Sequence, residues 1–185
     1  MVTGMNRYVA FLRGMNLGGR RIRNEELRAE FEALGLADVA CFRASGNVVF
    51  ASEESDEPTL TVHIEAGLGE ALGYAVPIFL RGDAELRAIA DREPFDPAAV
   101  AASKGKLQVA FLPTEPGDSG GKEALALATD EDRLAIEGRE LYWLPSGGIS
   151  ESSLDLKALE AALGPWTMRT MGTVEQIAAK HFASD

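Results

Sequence analysis

The chain has 185 residues, with 18 Lys and Arg against 29 Asp and Glu, for a formal charge of -11. Hydrophobic residues supply 46% and charged residues 25%, the balance of an ordinary globular protein, which excludes a disordered chain or a collagen-like fibre. A single cysteine, Cys41, excludes a disulfide scaffold, and two histidines, His63 and His181, are too few for a four-ligand Cys/His zinc site. Composition leaves open a magnesium ion held by carboxylate oxygens, but no metal-ligand set stands out. The longest apolar stretches, residues 8–12 and 74–80, fall short of the ~20 needed to span a bilayer. No export signal is visible, so a soluble cytoplasmic protein is expected.

Residues 7–13 predict a strand with apolar side chains on both parities, Tyr8, Ala10 and Leu12 against Val9 and Phe11, hence a central strand covered on both faces. The glycine-rich segment 14–19 breaks it. Asn24 is expected to cap a helix over 25–34, with Leu27, Phe31 and Leu34 at helical spacing and Gly35 as its stop. Strands at 39–44 and 48–51 flank the turn Ser45-Gly46-Asn47. After a polar loop at 52–56, Leu60, Ile64, Leu68, Ala71 and Leu72 form a helical stripe that Gly73 ends. The strand at 75–81 is placed at a sheet edge by Pro77, with Arg81 read as a further edge-protecting charge.

That order, βαββαβ, is the ferredoxin-like arrangement. Beyond a helix at 84–92 and the proline-punctuated stretch 94–97 it nearly repeats. A strand at 107–112 and a helix at 122–128 precede a hairpin, 133–136 and 140–144, around Glu137-Gly138-Arg139. Ser153 is expected to cap a helix reaching Leu163, stopped by Gly164-Pro165, and a last helix at 174–182 is expected where a fourth strand would lie. The fold class read from this pattern is α+β. It consists of duplicated ferredoxin-like units with antiparallel sheets, residues 1–92 and 93–185, packed as one compact protein, the second copy modified by a C-terminal helix. A single mixed domain without a repeat is the alternative.

Charge is divided unevenly. Residues 1–50 hold seven Arg and five acids, whereas 51–185 hold 11 Lys and Arg against 24 acids. In the split βαβ topology, the loop after the first strand and the turn between the second and third strands share one end of the sheet. Arg13, Asn16, Gly18 and Gly19 are thereby expected beside Ser45, Gly46 and Asn47, with guanidinium, amide, hydroxyl and open backbone N–H groups converging on an anion. Tight turns also need glycines, and surface arginines are often only solvated, so the residues alone leave both readings open. Thr167-Met168-Arg169-Thr170 reads as a polar insertion whose Thr170, or Thr173 just beyond it, caps the next helix, or else as a second anion clamp through Arg169.

Other chemistry finds no support. Gly120-Gly121-Lys122-Glu123 lacks the P-loop pattern, and the glycines of 14–19 are not spaced for a dinucleotide. His63 is read as a helix-boundary residue, His181 as suiting a last helical turn, and Cys41 as a small core residue. No nucleophile–base pair is visible, so no catalytic residue and no cofactor is identified.

The stretch from Arg13 to Gly19, followed by an acidic helix and then by Ala44-Ser45-Gly46-Asn47-Val48-Val49-Phe50, resembles the bacterial domain of unknown function 1697 family. A later segment, Thr167-Met168-Arg169-Thr170-Met171-Gly172-Thr173-Val174, is similar to that family's Thr-x-Arg-Asn-x-x-Thr-Val, with Thr170 where the family usually has Asn. The resemblance implies a duplicated ferredoxin-like fold and no particular activity. It directs attention to Arg13, Asn16, Ser45, Asn47 and Arg169, because a turn needs glycine but not arginine. The function expected first is binding of a small phosphate- or carboxylate-bearing ligand. RNA binding on the sheet is the second reading, opposed by the acidic body and by Phe11, Phe42 and Phe50, which look like core. An assembly module without chemistry is the third.

Overall fold

The computed structural model describes residues 4–15, 18–43 and 46–183. Backbone contacts divide the chain into two compact units, one reaching to Arg87 and including the chain's end from Lys180, the other spanning Ala88–Ala179. The first is built from β1 (Asn6–Leu12), α1 (Asn24–Ala33), β2 (Ala37–Cys41), β3 (Asn47–Ser52), α2 (Glu57–Leu72) and β4 (Ile78–Gly82), with α3 (Asp83–Ala90) following directly. The second begins with α4 (Pro97–Ala102) and continues through β5 (Gln108–Phe111), α5 (Asp118–Leu125), β6 (Asp132–Glu137), β7 (Glu140–Pro145) and α6 (Leu156–Leu163) to β8 (Thr167–Thr170) and α7 (Met171–His181). The sheet orders are β2-β3-β1-β4 and β6-β7-β5-β8, antiparallel throughout. Both are the ferredoxin-like order, and the fold is the expected duplicated α+β one.

The second copy follows the first more closely than the sequence suggests. Thr167-Met168-Arg169-Thr170 is not an insertion, and the last helix does not replace a strand. These four residues are the fourth strand itself, paired with β5 from Gln108↔Thr170 to Phe111↔Thr167. The segment is short and polar in composition, so its strand period is hidden. Its β-branched threonines nevertheless suit a pleated edge, and Met168 packs against the core. The registers of the two copies correspond. Val9 lies between Val49 and Arg81, and Val109 between Tyr142 and Arg169. Each fourth strand runs straight into a helix, so α7 has its counterpart in α3.

Helices cover one face of each sheet. In the first unit Tyr8, Ala10, Leu12, Val48, Phe50 and Leu80 pack with Leu27 and Phe31 of α1 and Leu60, Ile64 and Leu68 of α2. In the second, Ala110, Leu112, Leu141 and Trp143 pack with Ala124 of α5 and Leu159 and Leu163 of α6. The opposite parity is buried too: Val9, Phe11, Val49, Val109, Phe111 and Tyr142 are all shielded, as a central strand apolar on both parities requires.

Arg81 corrects the sequence reading. It is completely buried rather than an exposed guard of the edge, because strand alternation turns it to the same side as its neighbour Val9. Its Nη1 donates to the Leu80 carbonyl at 2.7 Å, and its Nε lies 3.6 Å from Glu85. Arg169, at the equivalent register, repeats the pattern by donating from Nη1 to the Met168 carbonyl at 2.8 Å.

Two caps also differ. Asn24 opens α1 without capping it. Arg23 precedes the helix, and the Glu26 carboxylate accepts its backbone N–H at 3.0 Å and its guanidinium at 2.9 Å. For α6 the cap is Asp155, which accepts from the Ala158 N–H at 2.9 Å, and not Ser153. Gly73 ends α2 at φ 74°, as its position predicted.

Residues 180–183 belong to the first unit, where Phe182 is buried with Arg7 above its ring and His181 meets Phe42 edge-on at 6.4 Å. His181 Nε2 is buried without a hydrogen-bond partner among the described residues. Burial first, then the charges of Lys180 and Arg7, hold the imidazole pKa below its ordinary value of 6.5. The unfolded chain therefore takes up a proton that the folded state resists. The stabilisation is present above pH 6.5 and is lost as pH falls from there through the depressed folded value. His181→Gln is expected to shrink the drop in melting temperature between pH 7.5 and pH 5.5. An unchanged drop contradicts this account.

Candidate functional site

One end of the first sheet is assembled from the end of β1, the turn between β2 and β3, and the approach to β4. The Leu12 N–H donates to the Gly46 carbonyl at 2.8 Å, and the Arg13 N–H to the Pro77 carbonyl at 2.9 Å. Arg13 is half-buried and its backbone pairs with the approach to β4, while the β2–β3 turn expected beside it bonds to the preceding Leu12. Asn16 and Ser45 lie outside the described residues. The glycines divide by role. Gly46 has φ 73°, and a Cβ there would meet Met15 Cγ at 3.0 Å and Leu12 Cβ at 3.1 Å, so packing and backbone both require glycine. Gly18 and Gly19 also have positive φ, but among the described residues nothing lies within 4 Å of a Cβ added at either.

Asn47 is buried, and its Nδ2 donates to the Phe42 carbonyl at 3.0 Å while its own carbonyl accepts the Phe42 N–H at 2.9 Å. Its amide therefore closes the β2–β3 turn. Asn24 Nδ2 donates to the Arg43 carbonyl at 3.2 Å, and Cys41 Sγ lies 3.5 Å from the Asn24 carbonyl, tying the start of α1 to the end of β2. Burial raises the Cys41 thiol pKa, which suits the packing role expected of it rather than a nucleophile.

Around this frame stand residues that composition alone did not single out. Arg43 is exposed and holds φ 58°, a left-handed conformation costing a non-glycine residue roughly 1–2 kcal/mol. Arg20 is exposed and stacks over Tyr74, 4.1 Å from the ring centroid. Arg21 is also exposed. Arg23 is engaged by Glu26. The sequence signal for Arg20, Arg21 and Arg23 is the run of arginines from Arg7 without an intervening acid, whereas Arg43 follows five acids and has no such signal.

Thr167 and Arg169 belong to the second unit. Arg169 Nη1 donates to Thr167 Oγ1 at 2.9 Å, and burial draws its pKa down to about 10. Thr170 Oγ1 accepts from the Thr173 N–H at 3.3 Å, so a hydroxyl serves the first turn of α7. At the opposite end of the first sheet a cavity of about 560 Å³ is lined by Leu36, Leu60, Ser52, Glu53, Glu54 and His63 among others, with no Lys or Arg. His63 Nε2 there lies 3.0 Å from the Leu34 carbonyl, consistent with its boundary reading. Among the described residues no three His, Cys, Asp or Glu side chains group to hold a metal, and no helix is long and apolar enough to cross a membrane.

The two sheets and their shared register define a duplicated ferredoxin-like α+β protein with a basic loop at one end of its first sheet. Residues 5–142 match the family model DUF1697, described as a protein of unknown function, and the chain belongs to that family. Its fold is similar to that of the conserved bacterial protein SP0830 from Streptococcus pneumoniae, with a TM-score of 0.72 and 21% identity over 95% of this chain and 98% of that one. No curated protein matches the chain.

Proposed function

We propose that the first unit binds a small phosphate- or carboxylate-bearing ligand at the end of β1, through Arg13 and the open backbone of Gly18 and Gly19. The observation that carries this reading is the comparison of one connection in the two copies. In the second unit the path from β5 to α5 takes residues 112–117, containing one acid and no base. In the first unit the path from β1 to α1 takes residues 13–23, nearly twice as long, with four arginines and no acid. The same topology closes without those residues, so architecture alone does not require them.

A second support is Arg43. A glycine would relieve its left-handed backbone, and strain retained at a charged residue is a mark of functional sites. Guanidinium groups hold oxyanions by paired, charge-assisted hydrogen bonds, and the net charge of -11 makes a long polyanion a poorer fit than one anionic group.

A thermal-shift titration with ribose 5-phosphate tests the reading. Ligand at 100 times its dissociation constant adds about 2.7 kcal/mol, a rise of roughly 5–10 °C. Arg13→Ala is expected to keep nearly the wild-type melting temperature without ligand and to lose the rise. A variant that melts far lower yet retains the full rise would show Arg13 to be structural.

A further inference from the structure

The arginine at the far end of the loop bears on what the anion is attached to. The Arg20 guanidinium lies over Tyr74, its central carbon 4.1 Å from the ring centroid, and the residue is exposed. The aromatic ring therefore backs the cation, while the residue keeps much of its surface open to solvent. Tyr74 is half-buried and packs against the first unit's core, so the floor of the stack is fixed. An arginine held in this way offers a preformed plane, and nucleobases stack on guanidinium planes as they do on aromatic rings.

The distance to the anion site is set by the chain. Tyr74 precedes by three residues the Pro77 whose carbonyl binds the Arg13 N–H, and three residues span at most about 10 Å. That is a separation over which a phosphate at one end and a base at the other can both be engaged, with the flexible Arg13 side chain taking up the remainder. The second arginine–aromatic pair at this end is looser, with Arg43 5.6 Å from the Phe42 centroid, and the Phe42 ring is already met by His181.

We propose that the ligand is a nucleotide, its phosphate held at Arg13 and its base stacked on the outer face of the Arg20–Tyr74 pair. This rests on the anion-binding reading above and adds the base to it. Stacking on one platform is worth about 5- to 150-fold in affinity, so calorimetric titration of the whole chain should show adenosine or cytidine 5′-monophosphate binding tighter than ribose 5-phosphate by that factor. Arg20→Lys keeps the charge but removes the plane, and is expected to abolish the advantage while leaving ribose 5-phosphate affinity within about twofold. Arg13→Ala is expected to weaken both ligands. Equal binding of nucleotide and ribose 5-phosphate by wild type overturns the stacking proposal and leaves the anion site standing. A nucleotide advantage that survives Arg20→Lys also overturns it. No binding of either ligand, or of inorganic phosphate, removes the anion site itself.

Discussion

Gly120→Ala is expected to destabilise the protein, and its neighbour Gly121→Ala to stabilise it, although both glycines lie inside α5. Helix propensity alone favours alanine over glycine by about 1 kcal/mol at either position. At Gly121 nothing lies within 4 Å of the added Cβ, so that gain should appear as a rise of roughly 2–4 °C in melting temperature. At Gly120 the Cβ would sit against the backbone carbonyl of Ala162 in α6, well inside contact distance. A backbone oxygen cannot swing aside as a side-chain end does, so α5 and α6 must separate. Overpacking of this kind costs about 1–3 kcal/mol and outweighs the propensity term. Two variants of equal stability by chemical denaturation would show that the helix pair does not pack as described.

The second large effect centres on Asp132. Its side chain is buried, and Oδ1 accepts hydrogen bonds from Trp143 Nε1 at 2.8 Å and from Ser152 Oγ at 2.8 Å. The indole it serves is itself buried in the core of the second unit. Asp132→Ala leaves both donors without their acceptor, at about 1–3 kcal/mol for the buried indole and less for the half-buried Ser152 hydroxyl, so a loss of roughly 2–4 kcal/mol is expected. Asp132→Asn retains an acceptor oxygen and should recover a large part of that loss. Urea unfolding followed by tryptophan fluorescence measures both variants. An alanine variant within 1 kcal/mol of wild type, a bound set by the cost of one orphaned donor, contradicts this role.

The fold was legible where one residue pattern has one physical cause. The double parity of Tyr8 to Leu12 marked a strand buried on both faces, and Gly73 marked a helix end, because neither pattern is easily satisfied otherwise. Legibility failed where tertiary context decides. Thr167-Met168-Arg169-Thr170 forms a strand because β5 offers it an edge, and its composition alone reads equally as a loop. Arg81 looked like an edge charge, yet its side chain is buried on the same side as Val9 and satisfied by Leu80 and Glu85. Asn24 looked like a cap, but its amide crosses to Arg43.

The candidate site shows the same division. That the β1 loop and the β2–β3 turn meet at one sheet end follows from the βαββαβ order, so the end of β1 could be placed beside Gly46 from the sequence. The closing role of Asn47 and the stacking of Arg20 on Tyr74 could not. Each depends on partners that only the folded chain brings together, and one glycine looks like another until the space beside it is known.

The central claim is that the basic loop at the end of β1 is an anion site added to a fold that does not need it. Two-dimensional amide NMR of the intact chain, titrated with inorganic phosphate, tests this most directly. The account predicts saturable shifts concentrated at Arg13, Gly18, Gly19 and Arg20, with Arg43 and Gly46 following and the 112–117 connection unmoved. Shifts spread evenly over exposed lysines and arginines of both units, or none at all, would contradict it.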